Sequence, residues 1–159
     1  MGYAVLHIDK ARSNDSGNTA HIARTYTPSN VDPSRTRLNR ELVQFPANVT
    51  NRSEAIEHRI ATAGIYRKVA KNQVKALRFI LSSSPEDMAR IEQEGLLYEW
   101  CDESMDWLRS TFGADNVVAA TLHADEDTPH IHATVVPIVT GERRKAKEEA
   151  ENGKRKYKT

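Results

Sequence analysis

The sequence predicts an α+β domain: an antiparallel β-sheet with helices packed on its faces and a metal site at a C-terminal β-hairpin. Three observations lead there. Short β-branched and apolar runs alternate with stretches of helical apolar spacing. The last two strand runs, Val117-Val118-Ala119-Ala120-Thr121-Leu122 and Ala133-Thr134-Val135-Val136-Pro137, flank an acid-rich segment with Thr-Pro, which suits a tight connection. The length of 159 residues fits one domain with a real core.

Composition excludes several classes. Lys+Arg 23 against Asp+Glu 22 gives a formal net charge of +1, so any field that attracts nucleic acid must be a local patch. A single cysteine excludes an internal disulfide framework and suits a reducing cytosol. Cys101 follows Trp100 in a helical stretch and reads as core packing. No apolar run is long enough to span a membrane. His7, Asp9, Lys10 and Arg12 interrupt any signal-peptide pattern.

Taken in order, Tyr3 to Ile8 reads as a first strand, with Val5 and His7 on one face and Ala4, Leu6 and Ile8 on the other. His7 is a structural candidate in reach of a site. Arg12 to Gly17 is turn-like. His21-Ile22-Ala23-Arg24 is a short helical candidate, which would put His21 and Arg24 on one side. Tyr26 follows, and Pro28 and Pro33 then break regular structure. Arg35, Arg37 and Arg40, with Asn39 among them, form a basic loop that is either solvated or suited to phosphate contact. Ser53 caps a helix through about Ala63. Arg67, Lys68, Lys71 and Lys75 make a second basic run, a solvated face or part of a DNA-facing surface.

Val74 to Leu81 reads as a strand. Ser84-Pro85-Glu86-Asp87 is a helix start, with a serine cap, proline at the first helical position and acids in the first turn. The helical pattern runs to about Phe112, with Gly95 as a bend or break and Trp100 and Trp107 as core anchors. From Gly141 to Thr159 there are eight Lys/Arg and four Glu. This stretch cannot bury a core and reads as a charged tail or isolated helix cut from a longer protein, leaving residues 1–140 as the domain.

The chemistry concentrates in His123-Ala124-Asp125-Glu126-Asp127-Thr128-Pro129-His130-Ile131-His132, which holds three of the six histidines. Strand alternation puts His130 and His132 on one face, and His123 meets them from the neighbouring strand. Three imidazoles from two rigid strands suit a metal with open coordination positions. Glu126 and Asp125 are candidates to orient the rings.

His123-x-Asp-Glu-x-Thr-Pro-His130-x-His132 resembles the metal-binding motif of the HUH relaxases, and in particular the MobV (Pre/Mob plasmid mobilisation) family. His21-x-x-Arg24, Asp32-Pro33-Ser34-Arg35 and Leu38-Asn39-x-Glu41-Leu42 resemble the N-terminal pattern of that family. The resemblance spans Tyr3 to about Gly141. It implies an HUH relaxase-like fold and a metal-dependent DNA relaxase, a single-strand endonuclease and strand transferase. Such an enzyme nicks one strand at an origin of transfer, stays attached to the 5′ phosphate, and initiates conjugative mobilisation of a plasmid. Carried over, His123, His130 and His132 bind the metal, Mn²⁺ or Mg²⁺. Glu126 orients them or joins them, and Asp125 is a weaker candidate. His21 is the nucleophile, Tyr26 its rival, and Arg24 steadies the phosphate. Arg35, Arg37, Asn39, Arg40, Arg67, Lys68, Lys71 and Lys75 would hold origin DNA, single-stranded or hairpin, near the nick. Relaxosome or coupling proteins are further partners, and the place of action is the bacterial cytoplasm. Two readings stand against this one. One is a non-catalytic DNA-binding module. The other is a small-molecule metalloenzyme, whose usual many-stranded barrel the long helix to Phe112 argues against.

Overall fold

The computed structural model describes residues 2–11, 15–65, 69–71 and 73–139, with two short strands at 144–145 and 157–158. Five strands form one antiparallel sheet: β1 (Ala4–Ala11), β2 (Arg40–Glu41), β3 (Ala76–Ser83), β4 (Val117–His123) and β5 (His130–Val135), in the order β1-β3-β5-β4-β2. The hairpin strands β4 and β5 thus lie inside the sheet, with His123 opposite His130 at the closed end. A separate two-stranded ladder, β6 (Arg144–Lys145) with β7 (Tyr157–Lys158), is all that is described of the charged tail, and it is extended rather than helical.

Alternation sorts the sheet into two faces. On one face Phe79, Ala120, Leu122, Ile131, Ala133 and Val135 pack against Cys101, Met105 and Leu108. Those three belong to helix α4 (Leu97–Phe112). Cys101 is 1% exposed, and burial, with Asp102 nearby, pushes its thiol up to about 12. Helix α3 (Pro85–Gln93) precedes α4. Its start is the expected one: Ser84 accepts from the Asp87 N–H, and Pro85 opens the first turn. Gly95, at φ 73, separates the two helices, so the predicted long element is two. Trp100 packs at the edge of this core. Trp107 departs from the expectation: it is 43% exposed and packs edge-on with Phe112, because the apolar stripe of α4 is centred on Cys101, Met105 and Leu108.

The other face holds α1 (Ser16–Ile22) and α2 (Arg52–Thr62). Ala55 and Ile56 of α2 cover Ala11, Ala76, Val118, Ala119 and Val136 at one end of the sheet. The cap of α2 is Asn51, which accepts from the Glu54 N–H while Glu54 accepts from Thr50. Ser53 lies inside the first turn and bonds Thr19 instead. Helix α1 begins at Ser16, inside the stretch expected to be a turn, and stops at Ile22.

Candidate metal and nucleophile site

The histidines stand on the second face, beyond the end covered by α2. Backbone carbonyls fix two of the rings. His123 Nε2–H donates to the Ile22 carbonyl at 2.8 Å, which leaves Nδ1 as an acceptor. His130 Nδ1–H donates to the Thr128 carbonyl at 2.8 Å, which turns Nε2 inward. His130 Nε2 and His132 Nε2 are 3.1 Å apart. Glu126 Oε2 lies 3.1 Å from His130 Nε2 and 3.5 Å from His123 Nδ1. Among the described residues, these four offer ligand atoms that all fall within 4.8 Å of one another.

The donor set fits a divalent ion. His123 Nδ1 is buried and, among the described residues, has no hydrogen-bond partner. Ligands at about 2.0–2.2 Å from a common ion lie roughly 3 Å apart, which matches the His130–His132 spacing. Burial pushes His123 down to about 4 and His132 down to about 2, so both rings stay neutral and keep lone pairs for a cation.

The two acids of the loop have different surroundings. Asp125 is 1% exposed and is held by donors from outside the histidine cluster. Its carboxylate accepts Arg24 Nε at 3.0 Å and NH2 at 2.8 Å, Thr36 Oγ1 at 2.9 Å and Asn39 Nδ2 at 2.9 Å. Burial favours its neutral form, but these donors win and hold it well below the usual carboxylate range. Glu126 accepts Asn30 Nδ2 on Oε1 and Arg24 NH2 on Oε2. Burial would raise it as well, but His130 and Arg24 bring it below its ordinary value.

Arg24 is the joint of this arrangement. Its backbone is left-handed, φ 55, which costs a residue with a Cβ about 1–2 kcal/mol. Its guanidinium offsets that cost by bonding Asp125, Glu126 and, through NH1, the His21 carbonyl at 3.0 Å. The ring of His21 then sits 6.2 Å from His132 and 6.3 Å from His123, centroid to centroid. Tyr26 Oη is 3.4 Å from His21 Nδ1, and Tyr26 is 53% exposed.

The family model described as "Plasmid recombination enzyme", Mob_Pre, matches residues 1–158. The chain is a member of the Mob_Pre family. It is 32% identical over 162 residues to plasmid recombination enzyme type 3 of Staphylococcus aureus, covering 97% of this chain and 38% of that protein. It is 30% identical to a 65 kDa protein of Zymomonas mobilis, covering 85% of this chain and 23% of that protein. The chain therefore spans well under half the length of these curated relatives. Among solved structures, the MobM relaxase domain (MOBV; Mob_Pre), Mn-bound with pMV158 oriT DNA, superposes with a TM-score of 0.77 at 24% identity. That superposition covers 94% of this chain and 80% of that one.

The other residues picked out by sequence are dispersed over this Mob_Pre fold. Arg35 braces the hairpin loop, donating to the Ala124 carbonyl at 2.9 Å and pairing with Glu92 on α3 at 3.0 Å. Asn39 pins the same loop, accepting the Ala124 N–H at 2.7 Å as well as donating to Asp125. Arg40 pairs in register with Leu122 and lies over the Tyr98 ring at 3.8 Å, so it faces α4 and not the histidines. Lys75 pairs with Glu57 at 3.1 Å. Arg37 and Lys71 are exposed, and Arg67 and Lys68 lie outside the described residues. His7 is exposed on the face of the histidines: one register row runs His7, Ile80, His132, Thr121 and Glu41 across all five strands. His123 and Thr121 are buried and His132 is not fully so, which leaves the site open towards β3 and β1.

Sequence reading missed the residues that hold the site. Asn30, Thr36 and the carbonyls of Ile22 and Thr128 carry no motif of their own. Asn39 was inside a recognisable motif, but its partner Asp125 is 86 positions away.

Proposed function

We propose that this chain nicks one strand of DNA at an origin of transfer and remains joined to the 5′ phosphate, as the first step in mobilising a plasmid. The observation that carries this is the convergence of His123, Glu126, His130 and His132 beneath the ring of His21, in a chain of the Mob_Pre family. The three histidines and Glu126 would hold a divalent ion, Mn²⁺ or Mg²⁺, whose chemistry is to neutralise and orient the scissile phosphate. The Mn-bound, oriT-bound state of the MobM relaxase domain supports both the metal and the substrate class.

His21 is the nucleophile. With Nδ1–H donating to Tyr26 Oη, its Nε2 lone pair is free to attack phosphorus. A P–N bond forms, the P–O3′ bond breaks, and the 3′ oxygen leaves and takes up a proton. The product is a phosphoramidate that keeps the energy needed for rejoining. Tyr26 orients His21 in this reading rather than replacing it. Arg24 acts through Glu126 and the His21 carbonyl, because its donors are engaged by protein groups and not turned to a phosphate. The DNA strand approaches over β3 and β1, where the site is open and where the exposed His7 stands in the register row of His132. The place of action is the bacterial cytoplasm, and the partners are origin DNA and the proteins of a relaxosome.

The test is an adduct assay with Mn²⁺ and labelled single-stranded origin oligonucleotides, resolved under denaturing, non-acidic conditions. An acid-labile adduct absent in His21→Ala and present in Tyr26→Phe is expected. An acid-stable adduct lost only in Tyr26→Phe would transfer the role to tyrosine. Tight binding without nicking in the wild-type chain would leave a binding module.

A further inference from the structure

The polar face of the sheet carries a buried cation that this chemistry does not use. Arg52, the first residue of α2, is 5% exposed. Its Nε donates to Thr134 Oγ1, its NH1 to Thr19 Oγ1 at 3.2 Å, and its NH2 pairs with Asp15 at 2.9 Å. Thr19 Oγ1 also shares a hydrogen bond with Ser53 Oγ at 2.8 Å. Thr134 stands on β5 two residues beyond His132, and Thr19 stands on α1 two residues before His21. One guanidinium therefore ties the strand that carries two of the clustered histidines to the helix that carries the nucleophile.

Helix α1 needs such a tie. It has seven residues and no side-chain cap bond, and a helix that short has no stability of its own in water. Its C-terminal end is held by the bond from His123 to the Ile22 carbonyl. Arg52 and Asp15 hold the other end. We infer that Arg52 is a positioning residue for His21, fixing α1 above β5 so that the His21 ring keeps its station over His132; the inference rests on His21 as nucleophile. Stability alone does not explain a charge at this place. An apolar residue of similar volume often leaves a fold as stable as a buried ion pair does, or more so. What the guanidinium adds is direction, a rigid fork that donates to two threonine hydroxyls, one on each element, while Asp15 balances its charge.

Arg52→Met, Arg52→Lys and Thr19→Val separate the two roles, each made in the whole chain. Thermal unfolding, calorimetric Mn²⁺ titration, hydrogen exchange of the α1 amides and single-turnover adduct formation are measured on all three. Arg52→Met is expected to bind Mn²⁺ as the wild type does. Its α1 amides should exchange about tenfold faster, and its adducts should form about 10- to 100-fold more slowly. Arg52→Lys should recover part of the rate, and Thr19→Val should fall between. Wild-type adduct rate and wild-type α1 protection in Arg52→Met would overturn the inference. Should Arg52→Met fail to fold, wild-type rates in both Arg52→Lys and Thr19→Val would overturn it. His21→Ala is run alongside: adducts that persist there overturn the nucleophile reading, and α1 exchange then decides the role of Arg52 by itself.

Discussion

Strand β5 presents a different material to each side of the sheet. Ile131, Ala133 and Val135 enter a closed apolar layer under α4, while His130, His132 and Thr134 face α1 and an open groove. The apolar side is held by area and shape, without direction. The polar side is held by directed bonds: His130 to Thr128, Thr134 to Arg52, and Asp125 to Arg24, Thr36 and Asn39. Along β5, packing lies on one side and chemistry on the other, and neighbouring residues of one strand serve both. Substitutions on the two sides should therefore fail in different assays.

The largest separation is expected from His130→Ala. Adduct formation should drop on the order of 10³-fold, with little change in thermal stability. A drop in both would mean that the polar side also carries the fold. Asp125→Ala comes next. It takes one of two carboxylate partners from the buried Arg24 guanidinium and the shared acceptor from Thr36 and Asn39, and should cost about 3–5 kcal/mol in denaturant unfolding. The same carboxylate gives a pH signature. It is ionised in the folded chain well below its ordinary value, so its contribution is full above about pH 4 and lost as the pH falls further. Asp125→Asn should flatten that acid limb of the stability profile. A limb that is unchanged would remove Asp125 from the account.

Ile131→Ala, one residue from His130 and on the opposite side, should cost about 2–5 kcal/mol of stability yet keep Mn²⁺ affinity at temperatures where the chain is folded. Loss of metal binding there would show that the two faces are not independent. The smallest effect belongs to His7→Ala. His7 lies two strands from His132, roughly 10 Å away. A two- to fivefold weaker binding of single-stranded DNA, read by anisotropy, is expected. No change would move the DNA path off β1.

What was legible in the sequence was whatever a local pattern encodes. The alternation His-Ile-His-Ala-Thr-Val shows which side of β5 is wet. Ser84-Pro85 marks a helix start and Gly95 a break, because capping and a positive φ are properties of a few adjacent residues. The spacing of His123, His130 and His132 was enough to bring them together on paired strands, as the register has them. What was not legible depends on partners distant in sequence. Nothing near Arg24 announces a left-handed backbone, since the carboxylates that hold it there are 101 and 102 positions on. Arg40 sits in a basic stretch, yet a two-residue edge strand turns it towards Tyr98. Asn51 and not Ser53 caps α2, because Asn51-x-x-Glu54 has the capping pattern, and Trp107 faces outward because the α4 stripe fills its layer without it.

Cys101, sealed between α4 and the sheet, makes the protein convenient to watch. A thiol 1% exposed and pushed up to about 12 by burial is expected to resist maleimides while the chain is folded, which mass spectrometry after labelling would check. A dye placed on Gly17→Cys, at the start of α1, would therefore report from one position without removing the native cysteine. Left unlabelled, Cys101 is a clock of its own: the rate at which it becomes alkylated counts how often α4 lifts from the sheet.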